Sequence, residues 1–364
     1  SWGSSRRAYR DGVAHVARIA AICREEIDER NLRVRVLDEV RRVVPFDAFV
    51  WLLTDPETTV GSSPVADLGP VGASGVDLPT LIRLKYSSAI NRWTALSTGT
   101  PVTLADAVGG TGVQDAWAAL LAAHGITDVL SSVLRDAHGC WGFLDLWRVG
   151  GTCTPVERAL IAEVIHMVTP ALRRSMLRSF ECNSRPAEED ADTEHGPVLL
   201  LVTDELRPIA QTPEADRYLR VLLPTDAARA PVPAAAFNVA AQLLASERGV
   251  DDHPARARVH LHDGMWVTLR AARIGEPSAT AASIAVSIEP TTAFDRASLY
   301  ARVAGLTDRE SELLHHLVTG HDTRAISRAM FVSEHTVQDH LKSIFAKTGL
   351  NTRRLVVARA TGLI

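Results

Sequence analysis

The chain has 364 residues, room for two or three domains, and its 46% hydrophobic and 23% charged residues supply ample folded core. A formal net charge of -4 excludes a protein that coats nucleic acid over its whole surface. No uncharged apolar run reaches membrane-spanning length, and no signal-peptide pattern is visible, so the cytoplasm is the expected location. The four cysteines, Cys23, Cys140, Cys153 and Cys182, form no CxxC pair and read as buried or idle thiols in a reducing cytosol, with a redox sensor as the alternative.

Ser1-Trp2-Gly3-Ser4-Ser5 carries no helical pattern and reads as a disordered start. Residues 11–30 place Val13, Val16, Ala17, Ala20 and Ile27 at helical spacings, and a second helix is predicted from Val34 to Val44, ending at Pro45. Phe46 to Leu53 reads as a buried strand closed by a turn around Asp55-Pro56. A helix from Leu78 to Ile90 follows. Gly109-Gly110-Thr111-Gly112 then reads as a flexible loop before a helix from Val113 to His124. Val129 to Leu134 and Gly142 to Arg148 form a hairpin turning near Asp136-Ala137-His138-Gly139. Thr154 as N-cap, Pro155 at the first helical position and Glu157 at the third open a helix that runs towards Pro170, with a further helical run to Phe180. This order suits a sheet covered by helices, with the terminal helices free to pair with another subunit. From Glu181 to Glu194, six acidic residues and one arginine mark a solvated linker. Val198 to Val202 reads as a strand, Thr212 to Leu223 and Ala235 to Glu247 as helices. Ala257 to Leu261, Trp266 to Ala271 and Ala282 to Ile288 complete a second mixed domain as strands, and Glu289 begins the connection onward.

The stretch from Leu306 to Ala360 is the most specific. It contains four short helical segments with tight turns between them. Thr307 with Glu310 three residues on has capping-box spacing, and Ser333 opens a well-marked helix after a turn. That is the geometry of a helix-turn-helix reader, whose second helix enters the DNA major groove. Residues 300–364 hold nine basic and six acidic side chains, a net +3 on an otherwise acidic chain, which suits a dedicated DNA-binding head. With so small an excess, affinity is expected to depend on dimerisation.

Leu306, Thr307, Arg309, Glu310, Gly320, Ile326, Ser333, Thr336, Val337, His340, Ile344, Lys347 and Gly349 together resemble the LuxR-type helix-turn-helix domain of bacterial transcription factors. The resemblance implies groove-facing residues at Gln338, Asp339 and Lys342. Ser333 and Thr336 at the helix start would help to position it, with Lys347 and Arg353 or Arg354 near the DNA backbone. Gln338-Asp339 departs from the usual pattern: Asp can accept from cytosine N4, but near phosphate it costs affinity. Val337, Leu341, Ile344 and Phe345 are expected to pack on Leu313, Leu314, Leu317, Ile326 and Leu355, while Leu355, Val356 and Val357 feed a dimer contact.

Upstream, residues 11–180 resemble a GAF sensory domain and 197–290 a smaller PAS-like domain, separated by an acidic linker at 181–196. A second linker at 291–301 leads to the head at 302–364. The fold class expected is multidomain α+β: a GAF-like α/β/α sensor, a PAS-like α+β domain and a C-terminal all-α four-helix head. The expected function is sequence-specific transcription regulation modulated by a signal, not catalysis. The partners implied are a pseudo-palindromic double-stranded operator, a small molecule or protein at the GAF-like domain, RNA polymerase and a second copy of the chain. The alternative is a protein-protein interaction module with weak, non-specific DNA binding.

No cofactor or metal is expected. His260-Leu261-His262-Asp263 puts two imidazoles on one strand face, without further ligands at zinc spacing. A haem held by one histidine of the first domain has only the resemblance to sensor folds behind it. Gly109–Gly112 lacks the Gly-Lys-Ser/Thr of a phosphate loop, and no GxSxG occurs. Of His315 and His316, one is expected at the core edge and one in solvent. Phe49, Trp51, Trp93, Trp117, Trp141, Phe143 and Trp147 belong mostly to the core, with one or two lining an apolar ligand cavity.

Overall fold

The computed structural model describes residues 14–111, 115–181, 198–215, 234–261, 264–275 and 283–363. Two five-stranded antiparallel sheets organise everything before the head. The first contains β1 (Ala48–Thr54), β2 (Gly61–Asp67), β3 (Val102–Thr103), β4 (Ile126–Asp136) and β5 (Gly139–Val149), in the order β2-β1-β5-β4-β3. The second contains β6 (Val198–Val202), β7 (Pro208–Gln211), β8 (Arg256–His260), β9 (Trp266–Ile274) and β10 (Ser283–Pro290), in the order β7-β6-β10-β9-β8. Chain order and spatial order are related in the same way in both, so one topology is used twice.

Alternation along the strands sends side chains to two covered faces. Trp51 and Leu53 of β1, Leu130 and Leu134 of β4, and Trp141 of β5 pack with the helices Glu29–Arg41 and Pro155–Ser175. Ala48, Val129 and Trp147 face the other way, against Trp117 and Leu121 of the helix Ala116–Ala123. The helix Pro155–Ser175 begins with the expected capping box at Thr154 and Glu157, and Pro170 does not end it. Burial of Ile161, Val164, Ile165, Val168 and Leu172 holds the helix through the proline, which a 3-10 turn at Met176–Phe180 then follows. The same burial turns one face of this helix onto the sheet, while Val156, Ala159, Glu163 and His166 on its other side are exposed. Gly109 and Gly110, expected in a loop, lie in the last turn of the helix Leu104–Thr111; Gly112 is outside the described residues. Helix formers at Leu104, Ala105 and Ala107 carry the turn into them.

The two sheet domains share a core. The alanine-rich helix Ala234–Glu247 is buried along most of its length, and its apolar residues cluster with Tyr86, Trp93 and Phe143 of the first domain as well as with its own sheet. At this seam the Gly61 carbonyl accepts from Asn238 Nδ2 at 2.9 Å, and the Tyr86 hydroxyl accepts from the Gly61 amide at 2.9 Å. Across the same seam Asp55 accepts from Arg258 Nε and from a terminal guanidinium nitrogen, each at 2.8 Å, and Arg92 donates to Asp251 at 2.8 Å. Asp55 and Arg258 are both buried.

The segment expected as a linker at 291–301 is helical from Ala293 to Val303, capped by Thr292, and buries Leu299, Tyr300 and Val303. It is a connector helix. Arg173 of the first domain donates to the carbonyl of Val303, Arg302 donates to that of His138, and Arg258 donates to that of Asp295. Residues 1–5, Cys182 and the region 216–223 of the predicted helix Thr212–Leu223 lie outside the described residues. No helix among those described is long and apolar enough to cross a membrane.

Candidate nucleic-acid interface

Four helices form the head: Asp308–Val318, Thr323–Ala329, Glu334–Thr348 and Arg353–Thr361. Each begins on a side-chain cap, from Thr307, Asp322, Ser333 and Thr352 respectively. Thr307 and Glu310 form the expected reciprocal box, with the Thr307 amide donating to Glu310 Oε2 at 2.7 Å. Gly349, at φ 69, closes the third helix in the left-handed conformation that glycine tolerates.

The third helix divides cleanly. Val337, Leu341 and Ile344 are buried with Leu313, Leu314, Leu317 and Ile326, and Phe345 is half-buried beside them. Leu355 does not join them: it is 47% exposed, and its neighbour Val356 is buried in its place. A helix turns about 100° per residue, so one neighbour must face out when the other faces in. On the outer face Gln338, Asp339 and Lys342 stand together in solvent. Lys342 Nζ donates to Asp339 Oδ1 at 3.1 Å, and His335 Nε2 lies 3.5 Å from Asp339 Oδ2. The bond from Lys342 holds the Asp339 carboxyl below its ordinary range. At the helix start, Ser333 Oγ accepts from the Thr336 amide at 3.0 Å, and the two hydroxyls are 2.8 Å apart.

Two of the remaining expected contacts, Lys347 and Arg353, also bond within the head. Lys347 is exposed, and its ammonium donates to Glu310 Oε2 at 2.6 Å, while Ser343 donates to Glu310 Oε1 at 2.5 Å. Burial alone would raise the Glu310 pKa; these donors and the Thr307 amide outweigh it and hold the carboxyl at about 2. Arg353 donates to Thr323 Oγ1 at 2.7 Å and ties the fourth helix to the second, while Arg354 is exposed. Sequence reasoning passed over Arg324 and Arg328, both exposed on the second helix. Their spacing of four puts them on one helix face, and that was the available signal. His315 is exposed and His316 half-buried, as their adjacency implied.

Elsewhere, Trp51 and Trp141 pack on one face of the first sheet, and Trp93, Trp117, Phe143 and Trp147 belong to the layer on the other. Cys23, Cys140 and Cys153 are free thiols. His260 sits against the Trp266 ring at 5.4 Å; His262 and Asp263 are outside the described residues.

Residues 304–360 match the family model of bacterial regulatory proteins, luxR family. The probable csgAB operon transcriptional regulatory protein of Salmonella typhimurium and the CsgBAC operon transcriptional regulatory protein of Escherichia coli are each 40% identical over 55 residues. That stretch is 15% of this chain and 26% of each relative, so the chain spans about a quarter of the length of the curated relatives it matches. A crystal structure of Escherichia coli SdiA aligns over 100% of this chain and 99% of that one, at 13% identity and a TM-score of 0.34. The four capped helices and the matched stretch coincide: residues 304–360 are a helix-turn-helix domain of the luxR family.

Proposed function

We propose that the chain regulates transcription by binding promoter DNA through this head, under the control of the two sheet domains. The observation that carries the reading is the outer face of the helix Glu334–Thr348. It presents Gln338, Asp339 and Lys342 to solvent on a helix whose opposite side is locked into the head by Val337, Leu341 and Ile344. In this reading the three polar residues meet base edges and phosphate in the major groove. Ser333 and Thr336 set the angle of helix entry, and Arg324, Arg328 and Arg354 reach the backbone. Lys347 and Arg353 brace the head through Glu310 and Thr323. Two copies on a pseudo-palindromic site supply the affinity that a net charge of +3 does not. The first domain is read as GAF-like and the second as PAS-like, with a signal at the first biasing the connector helix. The chain acts in the cytoplasm without a cofactor, and RNA polymerase is its downstream partner.

The test is binding of the full chain to a pool of genomic promoter fragments at two salt concentrations, with Lys342→Ala beside the wild type. Enrichment of palindromic fragments, weakened in the variant, is expected. Binding that shows no sequence preference at either salt concentration, with the variant indistinguishable, overturns the reading.

A further inference from the structure

The inner face of the first sheet carries charges where an all-apolar layer would be simpler. Asp145, in the middle of β5 between Leu144 and Leu146, is 1% exposed and receives Lys85 Nζ at 3.0 Å. Lys85 is itself 6% exposed. Its ammonium lies 3.7 Å from the centre of the Trp117 ring and 4.9 Å from that of Trp93, and it also donates to the carbonyl of Asn91 at 3.1 Å. Trp93 Nε1 donates to the same aspartate at 3.3 Å. A carboxylate and two aromatic faces thus surround the Lys85 ammonium, so this layer holds charge of both signs.

Two further atoms in this layer have no hydrogen-bond partner among the described residues: the side-chain oxygen Oδ1 of Asn91 and the indole Nε1 of Trp147. Both belong to buried residues. Register puts them beside the ion pair. Ser131 faces Asp145 and Val129 faces Trp147 across β4 and β5, while Asn91 Nδ2 reaches both Ser131 Oγ, at 3.1 Å, and the Val129 carbonyl, at 3.4 Å. Asn91 holds this position at φ 48, a conformation that favours asparagine or glycine. An unsatisfied acceptor and an unsatisfied donor thus accompany one positive and one negative charge.

That inventory restricts what can enter. A ligand of one charge would take one partner of the pair and strand the other in a buried layer, which is strongly unfavourable. A ligand with both charges exchanges one pairing for two and meets the two orphaned atoms as well. We propose that this layer is the input site of the first domain and that its ligand is a small zwitterion of the α-amino-acid class. Its carboxylate takes Lys85 and Trp147, and its ammonium takes Asp145 and Asn91 Oδ1. The proposal rests on reading the first domain as the sensor. It also supplies a route outward. Lys85 is rooted in the helix Leu78–Ser87, which packs on Ala234–Glu247, and Arg92, next to Asn91, is bound to Asp251 of the second domain.

The test is binding of free amino acids to the full chain, read by tryptophan fluorescence and by melting temperature. Phenylalanine carries both charges; 2-phenylethylamine and 3-phenylpropionate carry one each, and glycine and leucine extend the panel. At least one amino acid is expected to bind, and phenylalanine or its closest binder roughly tenfold more tightly than an analogue of one charge. Asp145→Asn is expected to abolish binding. Asn91→Gly, which keeps the backbone conformation and removes the acceptor, gives a second, milder variant, expected to weaken binding about tenfold in a chain that still melts cooperatively. No binding by any amino acid at about 10 mM, or equal binding by the amine alone, overturns the proposal. Promoter binding measured in the same samples keeps the two readings apart: if it persists while no amino acid binds, the site fails and the DNA reading stands.

Discussion

Replacing Lys347 by methionine separates a lysine that braces the head from one that touches DNA. The ammonium donates to Glu310, which is 4% exposed and also accepts from Ser343 and the Thr307 amide. Lowering the Glu310 carboxyl from 4.5 to about 2 corresponds to about 3 kcal/mol, at ~1.4 kcal/mol per pH unit. Lys347 is 32% exposed, so solvent screens part of its share, and about 2 kcal/mol is a reasonable allotment to the pair. Lys347→Met should therefore destabilise the head by about 2 kcal/mol, and Glu310→Gln by about 2–3 kcal/mol. The double variant should fall short of the sum by at least about 1 kcal/mol, because the two changes remove one interaction. Since the folded-state pKa is depressed, this stabilisation is complete above about pH 4.5 and is lost as the pH falls towards and through about 2. Hydrogen exchange of amides in Asp308–Val318 and Glu334–Thr348 reads the head directly, where global unfolding of a multidomain chain would blur it. In parallel, the slope of log affinity against log salt should not change, whereas loss of a phosphate contact would reduce it by about 1. A variant with normal exchange and a reduced salt slope would refute the reasoning and return Lys347 to the DNA.

Arg258→Met leaves Asp55 buried without its guanidinium and should cost about 3–5 kcal/mol in chemical denaturation; adding Asp55→Leu should recover only part of that loss, because the amides of Glu57, Thr58 and Arg258 then lose their acceptor. Lys342→Ala should weaken DNA binding and lower the salt slope by about 1, while Asp339→Asn, which removes a negative charge from the same exposed face, should tighten binding and change the preferred bases; unchanged selectivity would take Asp339 out of the readout. Burial pushes the thiols of Cys23 up to about 11 and Cys153 up to about 12, and raises Cys140 as well. At pH 7.5 these three should therefore alkylate slowly in the native chain and fully after denaturation; rapid native labelling of any one of them by mass spectrometry would contradict this.

The parts of the fold legible in the sequence are those fixed by neighbours. Thr154 with Glu157, and Thr307 with Glu310, announce helix starts because the partners lie three residues apart, and both boxes form. β2 escaped notice because Gly61-Ser62-Ser63-Pro64 has neither alternation nor strong strand formers; Pro64 is tolerated on an edge strand. β7, also an edge, is exposed along its four residues, too short a run to show an alternating pattern. In the head, the outward face of the third helix followed from its 3.6-residue period, but the bond from Lys347 to Glu310 did not. Its partner is 37 positions earlier, and no local pattern distinguishes a lysine bound for phosphate from one bound for a buried glutamate. Asp145 left a clue in standing alone within an apolar strand, yet only the packing of a distant helix supplies Lys85.

Arg258 joins both sheet domains to the connector helix: it is rooted in the second sheet, grips Asp55 in the first domain, and touches the carbonyl of Asp295 at the start of that helix. The consequence is for how such a protein can be rearranged. One sheet domain exchanged by recombination would leave a naked carboxylate in one half or an orphaned guanidinium in the other, so the two sheet domains are interchangeable only as a couple. Within the couple, strands and loops are free to drift so long as the seam between them is kept.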